Sequence, residues 1–231
     1  MAHLRMLDWQ FDALKGDINS DKLPLIINIA GRFPGCSSEV ALINDKIAPF
    51  YLDENGNPIK NNATWSKFYH IISVDFPYNT GYSYAAAPTD LKNSTDDAVE
   101  YLYTFLQKLG NKYPKWFSRD VYIIGENKAG HFAPVLASMI LEKNSNSSNV
   151  NIPLKGIAIN DPWISAKDQS EIFHWFGFDL GLLNIVQKEE IQNLENLILG
   201  NLSNNNYVDA YSSFELLIST FESYSNSYSH A

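Results

Sequence analysis

The residues with the clearest chemical pattern lie in a tight turn between a predicted strand and a predicted helix. The run Ile123-Ile-Gly-Glu-Asn-Lys-Ala-Gly130 places glycines on both sides of Asn127. This arrangement is typical of a nucleophile elbow, in which small neighbours let the strand and helix approach while the central side chain projects from a strained backbone. A serine at the centre would attack a carbonyl carbon, but the Asn127 amide nitrogen shares its lone pair with its own carbonyl. The pattern therefore predicts an elbow without a nucleophile.

Charged residues flank Asn127 and leave two interpretations open. Lys128 beside Glu126 could have a lowered pKa and act as an amine nucleophile or as a phosphate ligand. The plainer interpretation is that Lys128 is an exposed charge, or a partner of Glu126, at the start of a helix.

Strands and helices alternate along the first two thirds of the chain, and they must position this turn. Short apolar runs bounded by Gly, Pro and polar residues predict strands. Their ranges are 4–12, 23–30, 70–75, 121–124 and 154–159. One connecting helix begins at Ser94, which forms a capping-box pattern with Asp97, and the other spans about 128–143. This alternation predicts an α/β fold with a mostly parallel sheet.

The final third of the chain predicts helices only. Three helical stretches lie near 170–181, 187–199 and 207–224. We therefore expect a truncated α/β core over residues 1–183 and a helical, lid-like or docking segment over 184–231. A parallel sheet is normally covered on both faces, and an exposed edge strand can pair with other chains. The edge at 154–159 is therefore expected to be shielded by these helices or by another protein chain.

Composition and motif content argue against several classes of function. The 231 residues carry 17 Lys+Arg against 26 Asp+Glu, and the resulting formal net charge of −9 disfavours general binding to a nucleic-acid backbone. No apolar run reaches the roughly 18 residues of a membrane-spanning helix. The sequence has no paired cysteines, His-x-x-x-His spacing, carboxylate-rich calcium loop or glycine-rich phosphate loop. We therefore expect no metal and no cofactor.

The start of the chain and its single cysteine bear on location. The first residues show no secretory signal pattern, and a lone Cys36 cannot form an intrachain disulfide. We therefore expect an intracellular or organellar location, with the mitochondrion as one suggestion. Glycan acceptor patterns, Asn-x-Ser/Thr, begin at Asn62, Asn93, Asn146 and Asn201. A chain rich in Asn and Ser supplies such patterns by chance, and their use stays open.

Four motifs in order give the chain a specific resemblance. They are Gly31-Arg-Phe-Pro-Gly-Cys-Ser-Ser38, Asp75-Phe-Pro-Tyr-Asn-Thr-Gly-Tyr-Ser-Tyr84, Gly125-Glu-Asn-Lys-Ala-Gly-His-Phe132 and Leu154-Lys-Gly-Ile-Ala-Ile-Asn-Asp161. Over about residues 5–183 the chain resembles the serine carboxypeptidases, peptidase family S10. The resemblance implies an α/β-hydrolase-type fold, with a mostly parallel sheet flanked by helices, here truncated and followed by a helical segment.

The resemblance also implies a degenerate active site. Asn127 stands where the family has its nucleophilic serine, and the altered elbow consists of Gly125, Glu126, Asn127, Lys128 and Gly130. The loop that lends the family a backbone N–H for the oxyanion is altered too, and its counterparts are Gly31, Arg32, Phe33 and Gly35. The Phe33 side chain would crowd the position of a substrate carbonyl.

Other family features are missing or incomplete. The family's catalytic Asp and His lie downstream of a helical insertion, and no residue after 184 matches them. His131 matches a framework position, where we expect a satisfied buried histidine. Glu126 remains from the family's clamp on the substrate carboxylate, but Gly31 replaces its asparagine partner. Cys36 aligns with a family cysteine that is normally disulfide-bonded, without its partner.

We therefore predict a catalytically inactive serine carboxypeptidase-like protein that serves as a structural or accessory subunit of a larger assembly. Its expected partners are other protein subunits at the sheet edge and the C-terminal helices. Two alternatives stay open: a pseudoenzyme that binds a peptide or small acid, and a carboxypeptidase fragment whose activity needs a partner chain.

Overall fold

The computed structural model describes residues 6, 8–11, 23–29, 48–87 and 94–226. Two compact units divide the chain, Met1–Pro162 and Trp163–Ala231. None of the helices in the described ranges combines the length and the apolar character needed to cross a membrane.

Seven strands lie in the described part of the first unit. They are β1 (Asp8–Phe11), β2 (Leu25–Ile29), β3 (Phe50–Leu52), β4 (Pro58–Lys60), β5 (His70–Val74), β6 (Val121–Glu126) and β7 (Leu154–Asn160). Five of them form one sheet in the order β1-β5-β2-β6-β7. All neighbouring pairs in it are parallel except β1 and β5, which are antiparallel. The predicted α/β fold with a mostly parallel sheet is therefore confirmed.

Two helices, α1 (Thr95–Lys112) and α2 (Ala129–Lys143), cover one face of this sheet. The Ser94 side chain accepts a hydrogen bond from the Asp97 backbone N–H at 3.2 Å, which confirms the predicted start of α1. Leu106 of α1 and Leu136 of α2 are fully buried in one cluster with Ile27 of β2. This cluster is the hydrophobic core of the first unit.

The two faces of the sheet differ because successive residues of a strand point to opposite sides. Val121 and Ile123 of β6 point into the core beneath the helices. Ile26 of β2 and Ile71 of β5 point the other way. They form a smaller cluster with Phe50, Trp65 and Ile124.

A short hairpin formed by β3 and β4 was not among the predicted elements. The two strands pair in antiparallel fashion around a turn that contains Asn55 and Gly56. The Asp53 carboxylate closes the turn by accepting hydrogen bonds from the backbone N–H groups of Asn55 and Asn57, at 2.9 and 2.7 Å. An Asn-Gly pair between short apolar runs is a strong hairpin signal, and it could have predicted this element.

The described part of the second unit is helical. It contains α3 (Ala166–Gln169), α4 (Phe173–Asp179), α5 (Ile185–Ser203) and α6 (Tyr207–Ser225). The helix predicted near 170–181 corresponds to α4, whereas α3, which has its own N-cap at Ser165 and ends before Ser170, was not among the predicted elements. The buried centre of the unit consists of Leu183, Ile191, Ile198 and Leu217.

One buried carboxylate joins two helices of this unit. Glu195 of α5 is 2% exposed. Its Oε1 accepts a hydrogen bond from the His174 backbone N–H at 2.9 Å, and its Oε2 lies 2.5 Å from His174 Nδ1. The side chain therefore fixes the start of α4 against α5.

The division between the units differs from the predicted one. It falls between Pro162 and Trp163, whereas the sequence placed it after residue 183. Leu183 is buried beside Ile191 and Leu217, and Phe173 packs on the same cluster. The segment before 184 thus shares the core of the helical unit. That this unit acts as a lid or a docking segment stays a prediction.

Candidate functional site

The turn predicted as an elbow joins β6 to α2, and Asn127 lies at its apex. The φ angle of Asn127 is 51°, in the left-handed region that non-glycine residues rarely adopt. The Asn127 backbone N–H donates to the Asn160 carbonyl at 3.1 Å, and the Asn127 carbonyl accepts from the Gly130 N–H at 2.9 Å. These bonds tie the apex to the end of β7 and to the first turn of α2.

The elbow is tight because β6 and α2 nearly touch at Gly125. A Cβ atom at this position would lie 2.9 Å from the Cβ of Ala129 and 3.3 Å from its carbonyl oxygen. The methyl of Ala133 would be 3.4 Å away. Small residues at 125, 129 and 133 therefore let the helix start directly behind the strand.

The Asn127 side chain projects from this apex and is exposed. Its chemistry is that of a carboxamide, which donates and accepts hydrogen bonds but does not attack a carbonyl carbon. The backbone therefore has the shape that would present a nucleophile, and the side chain cannot serve as one.

Two basic side chains follow Asn127. Lys128 and His131 are both half-buried. Burial lowers the pKa of the Lys128 ammonium. Burial, and secondarily the charge of Lys128, lowers the pKa of the His131 imidazole. Lys128 is thus half-buried, which differs from the exposed form of the plainer interpretation, and His131 is less buried than expected.

A loop after β5 is fixed near the same end of the sheet by Asp75, a fully buried residue. The Asp75 carboxylate accepts a hydrogen bond from the Tyr82 backbone N–H at 2.9 Å. Gly81 has a φ of 57°, and a Cβ there would lie 2.5 Å from the carboxylate carbon. The Phe76 ring packs edge-on against Phe132 of α2, with centroids 4.9 Å apart. Sequence reasoning noted Asp75 only as a strand end within a motif, and missed this structural role.

Part of the predicted site cannot be compared with the structure. Gly31, Arg32, Phe33 and Gly35, the expected counterparts of an oxyanion loop, lie outside the described residues, as does Cys36. Their degeneracy stays a prediction. Within the described ranges, no group of three or more His, Cys, Asp or Glu side chains is arranged to hold a metal ion.

An apolar hollow of about 610 Å³ lies on the sheet face opposite α1 and α2. Its lining includes Trp65, Tyr122 and Ile157, and none of its lining residues belongs to the elbow. Ile157 of β7 is 43% exposed. Among the described residues, β7 pairs with β6 alone. The expected shield of this edge therefore stays a prediction.

The parallel sheet, its helical layer and a strand–turn–helix elbow with a left-handed apex define an α/β-hydrolase-type protein. The family model described as serine carboxypeptidase matches residues 9–229. The chain belongs to the serine carboxypeptidase family, and the resemblance inferred from the four motifs is confirmed.

Similar proteins from several organisms agree with this membership. A serine carboxypeptidase-like protein of Oryza sativa subsp. japonica is 33% identical over 84% of this chain and 44% of its own length. The probable serine carboxypeptidase CPVL of Dictyostelium discoideum is 33% identical over 78% of this chain and 35% of its own length. The chain thus spans less than half the length of these relatives.

A solved structure extends the similarity to the fold. It is the structure of KEX1(delta)P, a prohormone-processing carboxypeptidase from Saccharomyces cerevisiae. The two chains superpose with a TM-score of 0.79 at 25% sequence identity, over 94% of this chain and 48% of the other. The similarity therefore covers nearly all of the present chain and about half of that carboxypeptidase.

Proposed function

We propose that this chain is a catalytically inactive serine carboxypeptidase-family protein that acts as a structural or accessory subunit of a larger protein assembly. The observation that carries the proposal is Asn127, an amide side chain at the left-handed apex of an otherwise well-formed elbow. This substitution removes the attacking group whatever other residues surround the cleft.

The rest of the site supports inactivity. A serine hydroxyl is a weak nucleophile unless a neighbouring base removes its proton. His131 follows the elbow, and burial together with the charge of Lys128 lowers its pKa. By resemblance it matches a framework position and not the family's catalytic histidine, which takes the proton of the serine and is oriented by an acid. By resemblance, Arg32 and Phe33 also replace residues of the oxyanion loop.

Restoring the missing hydroxyl alone is expected to leave the protein inactive. The Asn127→Ser variant should show no carboxypeptidase activity on C-terminally unblocked peptides and no labelling by a fluorophosphonate probe, because no base activates the new hydroxyl. An Asn62→Ser variant, at an exposed position away from the elbow, controls for nonspecific labelling. Peptidase activity that appears in Asn127→Ser but not in Asn62→Ser would contradict the proposal.

The apolar hollow supports the role as a subunit. Parallel sheets normally carry covering layers on both faces, and all the residues that line the hollow within the described ranges are uncharged. We assign this face to a separate protein subunit that presents an apolar surface of its own. Such an occupant would bury the exposed part of Tyr122 and cover the outer edge of β7.

A charge introduced into the hollow is expected to release that partner. Tyr122→Asp should shift the protein from its native complex to a smaller species in size-exclusion chromatography of gently lysed source cells, because Tyr122 lines the hollow and burying an unpaired carboxylate is costly. Leu141→Asp is the matched control, since Leu141 is 63% exposed on α2, outside the hollow. The subunit role is refuted by a wild-type protein that migrates as a monodisperse monomer, or by unchanged migration of the folded Tyr122→Asp variant.

A further inference from the structure

The four Asn-x-Ser/Thr patterns differ in how exposed and how hydrogen-bonded their side chains are in the structure. Asn146 lies in the loop after α2, and both Asn146 and Ser148 are exposed. Asn146 Oδ1 accepts hydrogen bonds from the Ser148 backbone N–H at 3.0 Å and from Ser148 Oγ at 2.8 Å. The hydroxyl and the carboxamide of the pattern are thus already in contact, and both face solvent.

The Asn146 amide nitrogen is left free while other amides near it are occupied. Asn144 bonds the backbone of Ile152 through both its Nδ2 and its Oδ1, at 2.8 and 3.0 Å. Gln107 of α1 holds the Val150 backbone in the same way, at 2.9 and 2.7 Å. Among the residues that the structure describes, none accepts a hydrogen bond from Asn146 Nδ2. The loop is therefore anchored without this nitrogen.

The other three patterns lack this arrangement. At Asn62, the required hydroxyl belongs to Thr64, which is 1% exposed and bonded to Ser66 Oγ at 2.7 Å. Asn201 is half-buried within α5, and its Nδ2 donates to Ser213 Oγ at 3.4 Å. Asn93 lies outside the described residues.

The position of Asn146 also leaves room for a bulky group. The loop follows α2 and precedes β7, so it lies at the end of the sheet where the parallel strands begin, opposite the end that carries the elbow. Asn146 borders an open hollow of about 430 Å³, which it shares with Tyr103, Glu142, Lys143, Ser145 and Asn149. None of these residues lines the apolar hollow on the other face of the sheet. A glycan here would leave both the elbow and the proposed docking face uncovered.

We propose that Asn146 is an N-glycosylation site. The donor is an oligosaccharide linked through its anomeric carbon to a polyprenyl diphosphate. Asn146 Nδ2 forms a bond to that carbon, the carbon–oxygen bond to the diphosphate breaks, and the polyprenyl diphosphate leaves with the bonding electron pair. A base of the transferase takes the proton that Nδ2 loses. The first sugar then lies at the open hollow.

This assignment goes beyond the proposed function and is independent of it. It also opposes the expectation that an intracellular or organellar location, such as the mitochondrion, is favoured over secretion, because the transfer requires passage through a compartment that holds the lipid-linked donor.

The test begins with the protein purified from its source. Its peptides are treated with peptide N-glycosidase in water enriched in heavy oxygen, and residue 146 is expected to be recovered as aspartate carrying the heavy isotope. The full chain is also expressed behind a cleavable secretory leader in eukaryotic cells. There, the Ser148→Ala and Asn146→Gln variants are each expected to migrate faster in gel electrophoresis by the mass of one glycan. The Asn201→Gln variant is expected to migrate like the unsubstituted chain.

Recovery of unmodified Asn146 from the native protein overturns the inference, even if the secreted recombinant chain accepts a glycan. Unchanged gel mobility of Ser148→Ala overturns it as well. That variant keeps Asn146 and changes only an exposed hydroxyl, and circular dichroism verifies that it is folded. Because this readout is independent of peptidase activity and of complex formation, its failure is distinguishable from failure of the proposed function.

Discussion

Replacing Glu195 with alanine is expected to lower the free energy of unfolding of the helical unit by about 3–5 kcal/mol. The substitution removes a buried carboxylate that bonds both the backbone N–H and the ring of His174. It leaves those groups without their acceptor at the start of α4, and it opens a cavity beside α5. Hydrogen exchange measured by mass spectrometry on peptides covering residues 173–203 reports the loss as faster exchange.

Glu189→Ala is the matched control for this prediction, because it makes the same substitution on the same helix at an exposed position. Its effect is expected to stay within about 0.5 kcal/mol. Equal exchange rates in the two variants would show that the contact between Glu195 and His174 does not hold α4 against α5.

Adding one methyl group at Gly125 is expected to destabilise the α/β unit by about 1–3 kcal/mol. The Cβ of Gly125→Ala would lie 2.9 Å from the Ala129 Cβ, closer than two carbon atoms tolerate. The first turn of α2 must therefore move away from β6, which strains the bond from the Asn127 N–H to the Asn160 carbonyl. Chemical denaturation followed by far-ultraviolet circular dichroism measures the change.

Gly156→Ala tests whether the effect is specific to the elbow. Gly156 lies on β7, opposite Tyr122 of β6, and its added Cβ would meet the nearest Tyr122 ring atom at an ordinary 3.5 Å. This variant is expected to keep its stability or to gain up to about 1 kcal/mol from a less flexible unfolded chain. Comparable losses in Gly125→Ala and Gly156→Ala would mean that the approach of α2 to β6 is not the limiting contact.

The main sheet could be predicted from sequence because local sequence patterns are enough to identify its strands. The runs at 70–75, 121–124 and 154–159 are short, apolar and bounded by turn residues, and each coincides with a strand that has a parallel neighbour in the structure. The start of α1 was equally predictable, since a capping serine acts within its own turn. The β3–β4 hairpin was missed because its strands are only three residues long and largely exposed, so that Asn55-Gly56 was the one strong signal.

The helical unit was harder to predict because its boundary depends on packing between distant residues. Helical spacing alone does not reveal that Leu183 packs with Ile191 and Leu217. Residues 163–183 were therefore predicted to be part of the α/β core, whereas they belong to the helical unit. No sequence pattern indicated that Glu195 is buried. An acidic residue within a helix is usually solvated, and only its approach to His174, 21 positions earlier in sequence, identifies it as buried.

In the candidate site, too, the features set by local sequence were predictable and those set by packing between distant residues were not. The glycine spacing predicts the elbow, and residue type alone identifies Asn127 as an amide. The half-buried state of Lys128 and His131 could not be predicted, since it depends on how the rest of the chain packs around the start of α2. The anchoring of the loop after β5 by Asp75 is also a long-range property of the fold.

The left-handed backbone of residue 127 affects how much conformational strain the turn holds. Asparagine tolerates positive φ better than most side chains, because its short carboxamide can bond to nearby backbone groups. An enzyme that holds a serine in this conformation keeps conformational tension at its reactive centre. Asparagine at the apex relaxes that tension without rebuilding the turn, so this elbow is expected to be less strained than one that carries serine.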